Sequence, residues 1–360
     1  MSLSSLPTEL VRQIIESSVP STFHSTTYKE RQSTLRSLCL VSRLFRHLAQ
    51  PLLSEIVWIK SHEKLAIILE WMESKGWSDI PRSVALDDST ETWIKASDVE
   101  KLAHSCSRLQ ELALNLEYSD KLDAFDLNVL QSFSHLTHLQ VSGVCTISSP
   151  FALPALESFS FNYTTLNSVA IILDVALLPS LRRLALVEVD LEEEVELLSQ
   201  CRLGGLIKQT EVLSLDIVLV HLAPAYLANA FDRTLFDFHI GDEGVENDLV
   251  QVEHLRIIGF SAKSNVGLAG DLSHLTRRME ELKDQLSLRS IYLDVSLAQS
   301  SKSSSDVRTQ VNELVKLCDE KGIRVIYEAQ PQGRMRGVDP WFSEEFHRRQ
   351  MEEKRRVKKE

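Results

Sequence analysis

Apolar positions along this chain change period near its first sixth. Up to Lys60 they recur every three or four residues: Leu10, Ile14 and Ile15, then Leu38, Val41, Phe45 and Leu48. That is the spacing of one face of an α-helix. Pro7 suits an early helical position, and Glu9 favours the positive N-terminal end of the first helix. Pro20 to Thr34 carries no periodicity and reads as an exposed loop, with at most a helical turn near Lys29-Glu30-Arg31. The second stripe reads as one helix from Leu35, ended or restarted at Pro51. Glu55–Lys60 reads as a first strand. Glu63–Lys75 reads as a helix with Leu65, Ile68, Leu69 and Met72 inward and Gly76 as its terminator.

From there the pattern becomes apolar-x-x-apolar-x-apolar. Leu109, Leu112 and Leu114 give the clearest instance; Leu136, Leu139 and Val141 follow. Further members are Leu156/Phe159/Phe161, Leu181/Leu184/Leu186, Thr210/Leu213/Leu215, Val252/Leu255/Ile257 and Leu288/Ile291/Leu293. Pro81/Val84/Leu86 precede them and Ile323/Val325/Tyr327 close the series. The steps 109 to 136, 156, 181 and 210 are 27, 20, 25 and 29 residues, the period of a leucine-rich repeat. The later steps, 42 and 36, require insertions, with Asp232–Asp248 as the expected site of one.

Helical stretches separate the strand-like runs: Asn167–Ala176, Leu191–Cys201, Asp271–Leu286 and Asp306–Glu320, the last stopped by Gly322. Ser97-Asp98-Val99-Glu100 has the form of a capping box before the face Val99, Leu102, Ala103 and Cys106. One strand–helix unit cannot bury its apolar face alone, but stacked neighbours share a continuous core. The expected architecture is α/β, with parallel strands on the concave face of a solenoid and helices on the convex face. A doubly wound α/β domain also alternates strand and helix. It carries a Gly-rich turn and longer Val/Ile-rich strands, which are lacking here.

Composition narrows the function. With 39 Lys+Arg against 51 Asp+Glu the net charge is -12, which disfavours nucleic acid and anionic membranes as partners. Cys39, Cys106, Cys145, Cys201 and Cys318 are odd in number and never in C-x-x-C spacing, so they read as buried apolar residues in a reducing compartment. Glu9, Arg12 and Glu16 interrupt any signal-peptide core, and no apolar run suits a membrane span. The expectation is a cytoplasmic or nuclear protein.

The N-terminal residues resemble an F-box. The family opens with Leu-Pro-x-Glu-Leu/Ile followed by Ile; here these are Leu6, Pro7, Glu9, Leu10, Ile14 and Ile15. It continues into a Val-Cys/Ser-Arg-x-Phe/Trp helix, matched by Leu35, Leu38, Leu40, Val41, Ser42, Arg43, Phe45 and Arg46. Leu48-Ala49-Gln50-Pro51-Leu52-Leu53 is similar to the close of fungal F-box proteins, although Ser54 stands where an aromatic is often found. The Pro20–Thr34 stretch is longer than in many F-boxes. The resemblance implies docking onto the Skp-type adaptor of a cullin–RING ubiquitin ligase through Leu6, Pro7, Glu9, Leu10, Ile14, Leu38 and Val41. A protein substrate is then expected on the strand face. The organisation expected is an F-box-like segment over 1–60, a repeat domain over 61–330 and a charged tail over 331–360.

Substrate contacts are expected at the variable strand positions Gln110, Glu111, Asn115, Thr137, His138, Gln140, Arg182, Arg183 and Arg256, with Ala113 and Ala185 among them. No nucleophile elbow, P-loop, H-E-x-x-H or dinucleotide fingerprint occurs, so no catalytic, metal or cofactor site is expected. Gly267-Leu268-Ala269-Gly270-Asp271 reads as an N-cap turn, Asp190–Glu196 as a solvated acidic face, and His135 and His138 as surface positions. Lys354–Lys359 is a basic cluster with either an import or a local electrostatic role. Beside the ligase receptor stand two alternatives: a leucine-rich scaffold whose N-terminal helices only cap the array, and an enzyme with an unrecognised site.

Overall fold

In the computed structural model the described residues are 7–19, 25–75, 81–87, 94–116, 125–143, 145–162, 172, 176–187, 214–218, 253–258, 269, 272–273, 275–277, 279–280, 288–294 and 305–328. They fall into two compact units, one within Met1–Glu117 and one within Tyr118–Arg334.

The first unit opens with three helices, α1 (Thr8–Ser18), α2 (Ser25–Val41) and α3 (Arg43–Glu55). Three parallel strands follow: β1 (Ile56–Ile59), β2 (Ser83–Asp87) and β3 (Glu111–Asn115). α4 (His62–Lys75) connects β1 to β2, and α5 (Ala96–Ser105) connects β2 to β3. Pairing aligns Val57, Val84 and Leu112 in one column and Ile59, Leu86 and Leu114 in the next. All six are buried, as are Leu65 and Leu69 of α4 and Val99 and Leu102 of α5. Period-2 alternation in the strands and i, i+3 or i, i+4 spacing in the helices thus build one core.

Three local expectations are corrected here. Most of the supposed Pro20–Thr34 loop belongs to α2, which begins at Ser25. Its first turns lack an apolar stripe and are held by Tyr28, Arg31 and Gln32 instead. The stripe from Leu38 to Leu48 is not one helix: Ser42 is extended (φ -161°) and its Oγ accepts the Phe45 N–H at 3.2 Å, so it ends α2 and caps α3. Pro51 neither ends nor starts a helix but sits inside α3. Pro51 and His47, whose carbonyl loses its donor, are both exposed, so water can serve that carbonyl.

At α5 the box is also displaced. The helix starts at Ala96, and the buried Asp98 carboxylate accepts the Lys95 N–H at 3.4 Å. The same carboxylate lies 3.2 Å from His62 Nδ1 and 3.8 Å from Lys101 Nζ.

The second unit contains a run of seven parallel strands: β5 (His138–Ser142), β8 (Ser158–Asn162), β10 (Arg183–Val187), β11 (Ser214–Val218), β12 (His254–Ile258), β13 (Ser290–Asp294) and β14 (Arg324–Glu328). Two short parallel ladders accompany it. In one, β4 (Phe125–Asp126) pairs with β6 (Cys145–Thr146); in the other, β7 (Phe151–Ala152) pairs with β9 (Ala176–Leu177). A 3-10 helix spans Leu127–Ser132 and α6 spans Ser305–Lys321. Ala176, expected to end a helix, is therefore a strand residue. Residues 272–280, where described, are helical as expected, and α6 agrees with the expected Asp306–Glu320.

Register follows the expected runs except at β11, where Leu215 and Ile217, two residues on from the expected Leu213 and Leu215, take the two columns. Leu139, Phe159, Leu184, Leu215, Leu255, Ile291 and Val325 align in one column. Val141, Phe161, Leu186, Ile217, Ile257, Leu293 and Tyr327 align in the second. Each repeat thus offers two apolar residues to the same two columns, and a one-residue slip would turn both to the other face.

Gly322 closes α6 with φ +71°. Its N–H donates to Asp319 O at 3.2 Å, and Ile323 N–H donates to Cys318 O at 2.8 Å, the paired bonds of a Schellman turn. No atom lies within 4 Å of where a Cβ would stand, so only backbone strain opposes a side chain there. Gly322→Ala is expected to cost about 1–2 kcal/mol, measured as a shift of the urea unfolding midpoint.

Candidate functional site

In α1 the core face is Val11 and Ile15, continued by Val19, and these pack with Leu35, Phe45, Ala49 and Leu52. Leu10 and Ile14 are turned the other way, each 45% exposed, and Glu9 and Pro7 are exposed as well. Pro7 is the N-cap, one position before the first turn, and its carbonyl accepts from Leu10 and Val11 at 3.1 Å. Spacing of i, i+3 and i+7 places Pro7, Leu10 and Ile14 on one helical face. The sequence reading missed Val11 and so did not separate inward from outward positions.

Of the α2 residues expected to dock, Leu38 is half-buried against the core and Val41 is 62% exposed. Leu40, not singled out as a docking position, is 80% exposed. Next to the break at Ser42, Arg46 Nε donates to Cys39 O at 3.2 Å and satisfies one carbonyl of the last turn of α2. Ser42→Ala is expected to cost about 1 kcal/mol, read by thermal unfolding of the full chain. Leu6 lies outside the described residues.

The strand face opposite the leucine columns differs from expectation in accessibility. In the first unit its middle column is Trp58, Ala85 and Ala113, and Tyr28 of α2 packs against it. The Tyr28 and Trp58 rings meet edge-on at 5.7 Å, and Trp58 N–H donates to Tyr28 Oη at 3.4 Å. Burial raises the Tyr28 phenol above its ordinary pKa, and the bond from Trp58 counters it.

Polar networks flank this column. On one side Arg31 Nη2 lies 3.3 Å from Glu55 Oε2, and Gln32 Nε2 donates to Leu53 O at 3.2 Å. Glu111 belongs here: burial raises its carboxyl above the usual range, opposed by Ser83 and reinforced by the Glu55 charge. On the other side Asn115 donates to buried Asp87 at 2.8 Å. Lys60 Nζ lies 3.3 Å from Asp87 and 4.2 Å from the centre of the Trp58 ring. Asn115 is therefore buried, and only Gln110 of this group is exposed.

In the second unit Gln140 and Arg183 are buried, Thr137 and His138 are half-buried, and Arg182 is exposed. Thr137 Oγ1 and His138 Nδ1 are 2.9 Å apart. Arg256 takes the register position between Asp216 and Tyr292. His138, Ser158, Arg183, Ser214, His254, Ser290 and Arg324 share one column; within it His254 Nδ1 lies 2.7 Å from Ser290 Oγ. Exposure of these variable positions depends on what packs over them, which the run pattern does not specify.

Among the described residues no group of three or more His, Cys, Asp or Glu side chains is placed to hold a metal ion. Cys106, Cys145 and Cys318 are buried, and burial pushes each thiol up to about 12. Their thiolates are therefore scarce at neutral pH. No described helix is long and apolar enough to cross a membrane. Cys201, Asp190–Glu196, Asp232–Asp248 and Lys354–Lys359 lie outside the described residues.

No family model matches the chain, and no curated protein matches it. Among solved structures it is similar to a protein from Bacteroides fragilis, with a TM-score of 0.47 and 12% identity over 79% of this chain and 76% of that one. It is also similar to the leucine-rich repeat-containing protein LegL7 from Legionella pneumophila, with a TM-score of 0.44 and 10% identity over 85% of this chain and 89% of that one.

Proposed function

We propose that this chain is a protein-binding subunit rather than an enzyme: an F-box-type receptor whose N-terminal helices dock a Skp-type adaptor of a cullin–RING ubiquitin ligase. The strand array, a leucine-rich repeat solenoid in this reading, holds the protein substrate. The observation that carries the proposal is the outward-facing apolar pair Leu10 and Ile14 on a helix already anchored by Val11 and Ile15. Leu40 and Val41 add further exposed apolar surface at the end of α2. Apolar residues turned outward beside a complete core suit a partner helix or groove. The working compartment is then the cytoplasm or nucleus, and no cofactor is required.

A second reading has its own observation. Tyr28 on Ala85 and Ala113 makes α2 a cover for the first strands, as a capped scaffold without a ligase role would need. Co-expression with a purified adaptor separates the two. Capture of the folded full chain on the adaptor supports the receptor; a folded chain that the adaptor does not retain leaves the scaffold.

A further inference from the structure

β14 ends the parallel run of the second unit: among the described residues its strand neighbour is β13 alone. The outer N–H and C=O groups of such a strand form a template for pairing. Side chains point the same way. Ile291 and Leu293 of β13 are fully buried, whereas Val325 and Tyr327, aligned with them in the two leucine columns, are half-buried and 38% exposed. Ile326, on the other face, is half-buried too, while its β13 counterpart Tyr292 is buried. Among the described residues the columns therefore stop at β14. In the first unit the outer strand β1 differs, since Tyr28 packs over its Trp58.

The β14 sequence, Arg324-Val325-Ile326-Tyr327-Glu328, is complementary to itself when reversed. Antiparallel pairing about Ile326 sets Arg324 opposite Glu328 of a second copy, Val325 opposite Tyr327 and Ile326 opposite Ile326. Opposed residues in an antiparallel pair share a face, so both leucine columns would continue into the second copy through Val325 and Tyr327. By sequence, the register positions at both ends of the pair are then opposite in charge. A two-fold interface needs this self-complementarity, with each residue's partner reciprocated.

We infer that β14 is a homodimerisation edge, pairing antiparallel with β14 of a second copy and centred on Ile326. This goes beyond the proposed function and stands independently of it.

Sedimentation equilibrium of the full chain tests the pairing. The wild-type chain is expected to dimerise at micromolar to tens-of-micromolar concentration. Arg324→Glu places like charges opposite each other at both ends, and Glu328→Arg does the same with the opposite sign. Each is expected to weaken the dimer about tenfold or more. An equimolar mixture of the two single variants restores opposite charges at both ends and is expected to form a heterodimer near wild-type affinity. The Arg324→Glu/Glu328→Arg chain is expected to recover self-association. Circular dichroism of each variant confirms that it is folded. A monomeric wild type, unaffected single variants, or a mixture that fails to associate would each overturn the proposal.

Discussion

Phe159→Ala is expected to lower the unfolding free energy by about 3–5 kcal/mol, a large share of the roughly 5–15 kcal/mol that stabilises a domain. Phe159 and Phe161 are both fully buried, and their ring centroids are 4.1 Å apart. Phe159 also stands between Leu139 and Leu184 in the first column, so its loss opens a void between two neighbouring repeats. If the strands form the proposed solenoid, no distant contacts would compensate for a broken step. Ser160, the next residue on the same strand, lies on the other face and is also buried. Ser160→Ala removes a polar group without opening a void of that size and is expected to cost about 0.5–1.5 kcal/mol. Urea titrations of the two variants give the comparison. Similar losses at 159 and 160 would show that the leucine columns are not what holds the strands together.

The second large effect concerns docking. The double variant Leu10→Glu, Ile14→Lys is expected to leave stability within about 0.5 kcal/mol, because both residues are exposed and a Glu–Lys pair at i, i+4 supports the helix. Adaptor binding is expected to fall about 100-fold or more, since an apolar contact would now bury two polar groups without partners. Val11→Ala makes the contrast: it thins the core of α1 and should act on stability instead. Calorimetric titration with the adaptor and thermal unfolding of the same samples separate the effects. Unchanged affinity in the double variant would remove α1 from the docking surface.

Much of the strand array was legible because its signal is local and repeated. Each apolar-x-x-apolar-x-apolar run places its own strand; at β11 the run is framed two residues early, because Leu213, Leu215 and Ile217 all alternate and the pattern alone does not choose between them. The first turns of α2 were not legible for the opposite reason. Between Ser25 and Thr34 the apolar stripe is missing, and Tyr28, Arg31 and Gln32 anchor the helix through contacts to β1 and α3, 21 to 30 residues away in sequence. The break at Ser42 was hidden because its serine interrupts a stripe whose spacing reads smoothly through it.

The candidate sites divide in the same way. Leu10 and Ile14 were selected by their resemblance to a motif, yet their outward direction depends on Val11 and Ile15 claiming the core. The strand-face residues were selected as the variable positions of each run, which says nothing of their exposure. Asn115 is committed to Asp87, and Asp87 to Lys60, so this face of β3 is already occupied by the chain itself. Gln110 and Arg182, at the entry to their strands, are exposed.

The shared register also bears on how such a chain can change over time. Paired residues of neighbouring strands stand 20 apart in one case, Leu139 and Phe159, and 40 apart in another, Leu215 and Leu255. Doubling the length of a flexible connection adds only about 0.6 kcal/mol of closure entropy. Insertions and deletions in flexible stretches between strands, outside helices such as α4 and α5, are thus nearly neutral drift, while a single residue gained inside a strand would invert its faces. Lineages of this protein should therefore diverge in length mainly between the columns, and a reporter sequence spliced there should be carried as cargo.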